Sequence, residues 1–176
     1  MRVITALFIA ALCALGVCQE AAPIPEEVSK FDNWVGTWTA KEKFYMPGAK
    51  EPMENEGVMT ITKSLGGRYI EGRYSTEMMG QKMEGMHLMT YDPDRKKWIG
   101  YWFDSAAPGI MEMEGDLVGN KLTMVSKPVA IPGMADKQTF RATWDTKDKD
   151  NVLFLLELQT GNDWAKMIES EYKRKS

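Results

Sequence analysis

Cysteine and histidine are scarce in this sequence. Both cysteines, Cys13 and Cys18, lie in the first 18 residues, and His87 is the only histidine. The chain beyond that leader therefore has neither a disulfide nor a cysteine nucleophile. No Gly-x-Ser-x-Gly segment occurs, so a serine nucleophile would depend on His87 inside a predicted strand. We predict no catalytic residues, no metal site and no resident cofactor, and an enzyme is the least favoured class of function.

A large excess of either charge is also absent. The chain has 22 basic and 25 acidic side chains, which gives a formal net charge of −3. Basic residues form no block apart from Lys173-Arg174-Lys175, which is most simply the solvated end of the chain. Because nucleic-acid binding calls for a basic patch or stripe, we predict no nucleic-acid partner.

The one long apolar run lies at the N-terminus, where residues 1–18 have the pattern of a secretory signal peptide. Arg2 places a positive charge before the apolar residues 3–17. This run is shorter than the roughly 20 residues of a membrane-spanning helix, so we predict no transmembrane segment. We expect cleavage after Cys18 and export to the periplasm or the extracellular space. The alternative is a lipid anchor at Cys18, because residues 15–18 resemble a lipobox with valine in place of the usual small residue.

The remaining residues suffice for one domain with a sizeable core but not for two. Pro25, followed by Glu26 and Glu27, predicts a short helix, because proline suits the first helical turn and acidic side chains stabilise the positive end of the helix dipole. We therefore divide the chain into the signal peptide 1–18, an N-terminal segment with this helix at 19–35, and a single β domain at 36–176.

Beyond that helix, alternating or fully apolar segments recur about every ten residues, which is typical of an all-β sandwich or barrel. Asp92-Pro93-Asp94-Arg95 fits a type I turn, and Gly119-Asn120 fits a two-residue hairpin. Such short connections permit only antiparallel neighbours, so the predicted topology is a meander. The ten predicted strands span 36–45, 56–63, 67–77, 82–91, 97–104, 109–117, 121–126, 138–144, 151–159 and 164–173.

Several ordered blocks of the sequence resemble the bacterial domain-of-unknown-function family 1579. The blocks lie at 34–38 (Trp-Val-Gly-Thr-Trp), 65–70, 85–92, 98–105, 108–111, 114–115, 122–123 and 171–175. The resemblance spans essentially the whole chain after the leader and implies a calycin-like barrel, but the family brings no established activity or catalytic residues. With the strand rhythm it predicts an all-β fold: a single antiparallel up-and-down calycin-like barrel of about 8–10 strands, which the domain 36–176 would form, with a short N-terminal helix.

The start of the first strand is also similar to the first signature of the lipocalins. Phe31, Gly36 and Trp38 carry that similarity, and Arg174 is placed to pack over Trp38 as the terminal basic residue does in lipocalins. The sequence departs from lipocalins because it has no convincing late helix and no disulfide. We expect Trp38 at the closed end of the barrel, where its substitution would cost stability rather than specificity.

The loops of a meander lie at alternate ends of the strands. One end, here called the foot, holds Gly36 and short polar turns. The other end, here called the mouth, holds the loops 46–55, 78–81, 105–108 and 127–137, which are rich in methionine, proline and glycine. Apolar loop residues form patches that often mark binding surfaces, and methionine adapts to ligands of irregular shape. We therefore expect function at the mouth.

The candidate ligand-binding residues combine the strand faces below the mouth with its loops. Asp104 ends an aromatic strand, where its carboxylate would orient the polar group of an otherwise apolar ligand. The alternative for Asp104 is a turn acid that accepts hydrogen bonds from nearby backbone amides. The candidate residues are Met83, His87, Met89, Trp102, Asp104, Met111 and Met134.

We expect an exported, non-enzymatic protein that binds a small hydrophobic or amphipathic ligand. The alternative is a protein-interaction or cell-envelope structural module whose partner docks on the methionine-rich mouth loops. Less favoured are haem binding through His87, Cu(I) binding through Met111-x-Met113, and an enzyme using the pair Glu112 and Glu114. The alternation of that last segment instead indicates a solvated outer face for the two glutamates.

Overall fold

The computed structural model describes residues 22–146 and 148–175. The predicted signal peptide and the proposed anchor residue Cys18 lie outside these residues. Within them, no helix has the length and apolar character needed to cross a bilayer.

The described chain begins with one short helix, α1 (Glu26–Ser29), followed by a 3₁₀-helical turn at Asp32–Trp34. Val28, Phe31 and Trp34 are all buried, and their spacing of three residues places them on one face. The ring of Phe31 packs edge-on against Trp98, with centroids 4.5 Å apart. The predicted helix is therefore present, and the segment that contains it covers one end of the barrel.

Ten antiparallel strands follow, with a second 3₁₀-helical turn at Leu65–Gly67 between the second and third of them. Each pairs with the next, and the last pairs with the first, so the sheet closes into a barrel. The all-β, up-and-down barrel predicted from the sequence is thus confirmed. The strands are β1 (Gly36–Phe44), β2 (Met53–Ser64), β3 (Tyr69–Met78), β4 (Gln81–Asp92), β5 (Lys97–Asp104), β6 (Met111–Val118), β7 (Lys121–Ser126), β8 (Phe140–Asp145), β9 (Asn151–Thr160) and β10 (Asp163–Arg174).

Side chains on each strand alternate between the barrel interior and solvent, because successive residues of a strand point to opposite faces. The foot half of the interior is closely packed. Trp38, Trp98, Ile70 and Leu122 are almost completely buried there. Burial of an aliphatic side chain contributes about 1.5–3 kcal/mol, so this region supplies much of the stability of the fold.

The foot is closed by contacts between the two ends of the barrel domain. The indole Nε1 of Trp38 donates to the backbone oxygen of Trp34 at 2.8 Å. The Arg174 guanidinium lies 4.2 Å from the centroid of the Trp38 ring and donates to the backbone oxygen of Val35 at 2.9 Å. Gly36 has a φ of +143°, which other residues rarely adopt, and a Cβ there would also lie 2.5 Å from that guanidinium, so the position favours glycine. The expected packing of Arg174 over Trp38 is confirmed.

The mouth carries the longer connections, at 45–52, 105–110 and 127–139, together with the tight turn at Met79-Gly80. Four large apolar side chains in these connections are exposed: Met46, Met79, Ile110 and Met134. The foot connections at 93–96 and 119–120 are short turns. The two ends therefore differ as the loop composition predicted.

Candidate ligand-binding cavity

A cavity of about 260 Å³ lies inside the barrel, between the packed foot and the mouth. His87 and Met89 line it toward the foot, while Phe44, Asp104 and Met111 line it where their strands reach the mouth. An apolar cavity of about 150 Å³ is large enough to hold benzene. The barrel is therefore closely packed at one end and hollow toward the other.

Three glycines on neighbouring strands make room for the large rings of the cavity wall. Each faces the interior, and a Cβ there would overlap a ring from the next strand; for Gly72 the clash with the His87 imidazole would be at 2.5 Å. Glycine in a strand often marks such close approach. Each ring therefore lies along the wall, against the glycine of the neighbouring strand, rather than across the interior of the barrel. The pairs are Gly57 with Tyr74, Gly72 with His87, and Gly85 with Trp102.

Most of the cavity wall is apolar and built from methionine and aromatic side chains. Methionine is unbranched and polarizable, so a wall of this kind adapts to the shape of what it encloses. The methionines are Met59, Met83, Met89, Met111, Met113 and Met124, and the aromatic residues include Phe44, Tyr74, Trp102, Phe140, Trp144, Phe154 and Tyr172.

Glu42 is the buried acid of this wall, with 6% of its surface exposed. The hydroxyl of Tyr74 and the amide of Asn55 donate to its Oε2, the latter at 3.2 Å, and the hydroxyl of Ser170 donates to its Oε1 at 3.4 Å. Burial raises the pKa of the Glu42 carboxyl, and the hydrogen bonds oppose that rise. Among the ion pairs of the described residues, none involves Glu42.

A short chain of hydrogen bonds holds the donors to Glu42 in place. The Asn55 amide also donates to the hydroxyl of Thr76 at 2.7 Å, and that hydroxyl donates to the backbone oxygen of Glu56 at 2.7 Å. Burial raises the pKa of the Tyr74 hydroxyl, and its bond to Glu42 raises it further. Tyr74 therefore keeps its proton and remains a donor to the carboxylate.

His87 lies deeper in the cavity and is 6% exposed. Burial lowers its pKa to about 4, so the imidazole is neutral at neutral pH. Its Nε2 is buried and has no hydrogen-bond partner among the described residues. A smaller void of about 20 Å³ lies on the foot side of His87, next to Trp38 and Trp144. His87 thus separates the cavity from the closed foot and leaves one polar atom unused.

Asp104 lies at the mouth end of the cavity. The indole Nε1 of Trp102 donates to its Oδ2 at 2.7 Å, and the backbone amides of Ala106 and Ala107 donate to its Oδ1 at 2.9 and 3.0 Å. Both oxygens are therefore engaged in holding the mouth loop and the Trp102 ring. Asp104 thus accepts hydrogen bonds from backbone amides of the turn that follows it, which was the alternative prediction from the sequence. It also lines the cavity.

Comparison with known protein families identifies the family of this chain. The model of the family described as "Protein of unknown function (DUF1579)" matches residues 26–174. The chain belongs to this family. No curated protein sequence matches it significantly.

Two solved structures resemble the fold of this DUF1579 protein. The crystal structure of Rv2717c from M. tuberculosis aligns with a TM-score of 0.65 and 11% identity, covering 88% of this chain and 100% of that one. The S-type phycobiliprotein lyase CPES from Guillardia theta aligns with a TM-score of 0.56 and 12% identity, covering 84% and 92%. At these identities the likeness shows a shared barrel fold and no more.

The cavity of the DUF1579 protein brings together six of the seven candidate residues: Met83, His87, Met89, Trp102, Asp104 and Met111. Met134 is not among the lining residues. Its amide donates to the backbone oxygen of Ile131 in a turn of the loop 127–139, and its side chain is 47% exposed. The predicted role of all seven in ligand binding stays a prediction.

Several polar wall residues were not predicted from the sequence, above all Glu42 and Tyr74. One signal for Glu42 was present. Trp38, Ala40 and Glu42 alternate along β1, so an inward Trp38 requires an inward Glu42. Tyr74 gives no comparable signal, because its partner lies 32 residues earlier in the chain.

The less favoured alternatives also have definite positions. Met111 and Met113 both line the cavity, so the two sulfurs of the Cu(I) hypothesis are on one face. No group of three or more metal-ligating His, Cys, Asp or Glu side chains occurs in the described part of the chain. Glu112 and Glu114 form ion pairs outside the cavity, with Lys127 at 2.7 Å and with Arg95. They occupy the solvated outer face that their alternation indicated.

Proposed function

We propose that this protein binds a small amphipathic molecule, apolar over most of its surface, inside the barrel. The observation that carries the proposal is the cavity of about 260 Å³ in a barrel whose foot is otherwise closely packed. Methionine and aromatic side chains offer an adaptable apolar wall, and a few polar groups are available to orient a ligand. The likeness to a phycobiliprotein lyase supports only a common fold, so we base the proposal on the cavity itself.

The cavity volume limits the size of the ligand. Benzene, with six non-hydrogen atoms, fits a cavity of about 150 Å³, so in proportion this cavity of about 260 Å³ suits a ligand of roughly ten non-hydrogen atoms. Octan-1-ol has this size. Burial of its chain at about 0.8 kcal/mol per carbon gives about 6 kcal/mol, which corresponds to a dissociation constant on the order of tens of micromolar.

Calorimetric titration with octan-1-ol tests the proposal. We expect binding by the wild type and loss of at least tenfold in affinity in Ala142→Phe, because Ala142 lies in the cavity wall and is 2% exposed. Val125→Phe is the matched control, because Val125 is 39% exposed on the neighbouring strand. Absence of saturable binding by the wild type, or equal binding by Ala142→Phe with its fold intact by circular dichroism, contradicts the proposal.

We also propose that the protein acts after export, on the basis of the signal-like residues 1–18. Intact mass measurement of the protein from its native host is the test. We expect a chain that starts at Gln19. A diacylated Cys18 overturns soluble export in favour of a lipid anchor, and an uncleaved leader overturns both.

A protein partner at the mouth is a second candidate function. The exposed apolar side chains Met46, Met79, Ile110 and Met134 favour it, because all four lie in connections at the same end of the barrel and apolar patches mark contact surfaces. A photo-reactive residue at position 79 is expected to cross-link to a defined partner in cells, whereas one at Val118, which is 76% exposed on the outer face of β6, is not. Equal cross-linking from both positions argues against docking at the mouth.

A further inference from the structure

The charged side chains that line the cavity all have one sign. They are Glu42 and Asp104, and neither lysine nor arginine occurs among the lining residues of the described chain. His87 does not offset them, because its lowered pKa leaves it neutral at neutral pH. An anionic ligand would therefore be placed beside two acids in a region of low dielectric, where like charges repel strongly.

The two acids accept the same number of hydrogen bonds, three each, but those of Glu42 leave one oxygen with only a long bond. A carboxylate offers about four acceptor positions. Asp104 uses both oxygens to accept from Trp102, Ala106 and Ala107. Glu42 accepts twice at Oε2, but its Oε1 accepts only from Ser170, at a long 3.4 Å. Oδ2 of Asp104 also accepts a single bond, but at 2.7 Å, so Oε1 of Glu42 is the oxygen with the weakest existing bond and the one we assign to a ligand.

The surroundings of Glu42 also suit a cation. Phe44 follows two residues later on β1, and Phe154 pairs with Ser170 across β9 and β10. Both rings line the cavity, as does the Tyr74 ring. Aromatic faces attract ammonium groups, and the attraction is larger where water is excluded. A buried acid that forms no ion pair within the described residues, in a wall that also carries aromatic rings, is a site that a ligand cation would complete.

A second unused polar atom lies in the same wall. Nε2 of His87 is buried and has no partner in the described chain. A neutral imidazole nitrogen either donates or accepts a single hydrogen bond. This nitrogen lies against Gly72 in the wall, so Glu42 is the polar group on which the inference rests.

We propose that the ligand is a small amphipathic amine whose ammonium group binds Glu42 while its apolar body fills the methionine-lined part of the cavity. This inference rests on the proposed function, because it names the chemical class of the molecule bound there. The ammonium donates to Oε1, and the apolar wall encloses the hydrocarbon. A carboxylic acid of the same length lacks a partner and is repelled by Glu42.

Titration with three probes of equal chain length, octylamine, octan-1-ol and octanoate at pH 7, tests this inference. In the wild type we expect octylamine to bind at least about tenfold more tightly than octan-1-ol, because both probes can donate to Glu42 but only the ammonium also carries the opposite charge. Octanoate is expected to bind most weakly. This ranking needs no variant and therefore stands even if a substitution unfolds the protein.

Glu42→Gln is then expected to remove the preference for the amine and to leave the affinity for octan-1-ol within about threefold, since the amide keeps the shape of the side chain. Glu54→Gln removes an exposed acid from β2, makes the same change in net charge, and is expected to leave the ranking unaltered. If no probe binds, the proposed function fails. If octan-1-ol binds and octylamine binds no better, or if Glu54→Gln has the same effect as Glu42→Gln, only the amine inference fails.

Discussion

Replacement of Tyr74 by phenylalanine removes one hydroxyl from the interior and tests the polar arrangement around Glu42. The hydroxyl donates to Oε2 of Glu42, and the ring lies over Gly57. Phenylalanine retains the ring, so the aromatic packing against Gly57 is unchanged. What the substitution removes is one of three hydrogen bonds to a carboxylate that is 6% exposed.

The magnitude follows from the surroundings of that carboxylate. A hydrogen bond to a charged group contributes about 1.5–3 kcal/mol, and Glu42 has no cation in the described chain to replace it. We therefore expect Tyr74→Phe to lower the free energy of unfolding by about 2 kcal/mol at pH 7. For a protein of this size that corresponds to a fall of roughly 4–8 °C in melting temperature.

Denaturant unfolding followed by tryptophan fluorescence measures this change, with thermal unfolding as a second measurement. Tyr69→Phe is the matched control, because Tyr69 lies on the opposite face of the same strand and its substitution is expected to change stability by less than about 0.5 kcal/mol. If Tyr74→Phe costs no more than Tyr69→Phe, the hydrogen bond to Glu42 does not stabilise the fold and our account of this wall is wrong.

Three further predictions concern the interior and the foot. The pKa of His87 is lowered to about 4, so between pH 6.5 and pH 4 the unfolded chain binds a proton that the folded protein does not, and wild-type stability falls as the pH falls. His87→Gln lacks this titration and should therefore lose about 3 kcal/mol less stability than the wild type over that range, as measured by denaturant unfolding at each pH. The pKa of Glu42 is raised above 4.5, so above pH 4.5 the folded protein keeps a proton that the unfolded chain loses, and wild-type stability falls as the pH rises. In the same titration, the stability of Glu42→Gln relative to the wild type should therefore increase with pH, and curves that stay parallel contradict the assignment. Trp38→Phe should cost about 1–3 kcal/mol through its lost bond to Trp34 and its smaller ring, yet leave octan-1-ol affinity within twofold; a larger loss of affinity would mean that the foot takes part in binding.

The fold was predictable because local signals agreed along the chain. The turns at Asp92–Arg95 and Gly119-Asn120 occur where the sequence predicts them, and the short links between strands force antiparallel pairing. Strand ends were less accurate. β2 begins at Met53 rather than at residue 56, because its polar first residues pair with β1 as far as Phe44. Pairing with the neighbouring strand extends β2 beyond its apolar pattern, and the apolar pattern alone does not reveal where that pairing ends.

The candidate site was predictable only where apolar alternation marked the inner face. Met83, His87 and Met89 were placed in the wall because they alternate on one strand. Glu42 was missed because a glutamate between two lysines is typical of a solvated strand. Its burial depends on Tyr74 and Ser170, which are close in the barrel but distant in the chain. Residues that are satisfied only by long-range partners leave little trace in a local pattern.

The position of the cavity follows from where the interior has glycine. Gly57, Gly72 and Gly85 lie on consecutive strands, and each allows a ring from the next strand to lie against the wall instead of crossing the barrel. At the foot, no glycine of the described chain has the rings of Phe31, Trp38 or Trp98 against it, and these rings fill the interior. Glycine on one part of the wall therefore creates the open volume, and the same leaning rings bring Tyr74 to Glu42. On this account the cavity and its buried acid have one structural origin, so a substitution that fills a glycine recess should disturb apolar and amine binding together.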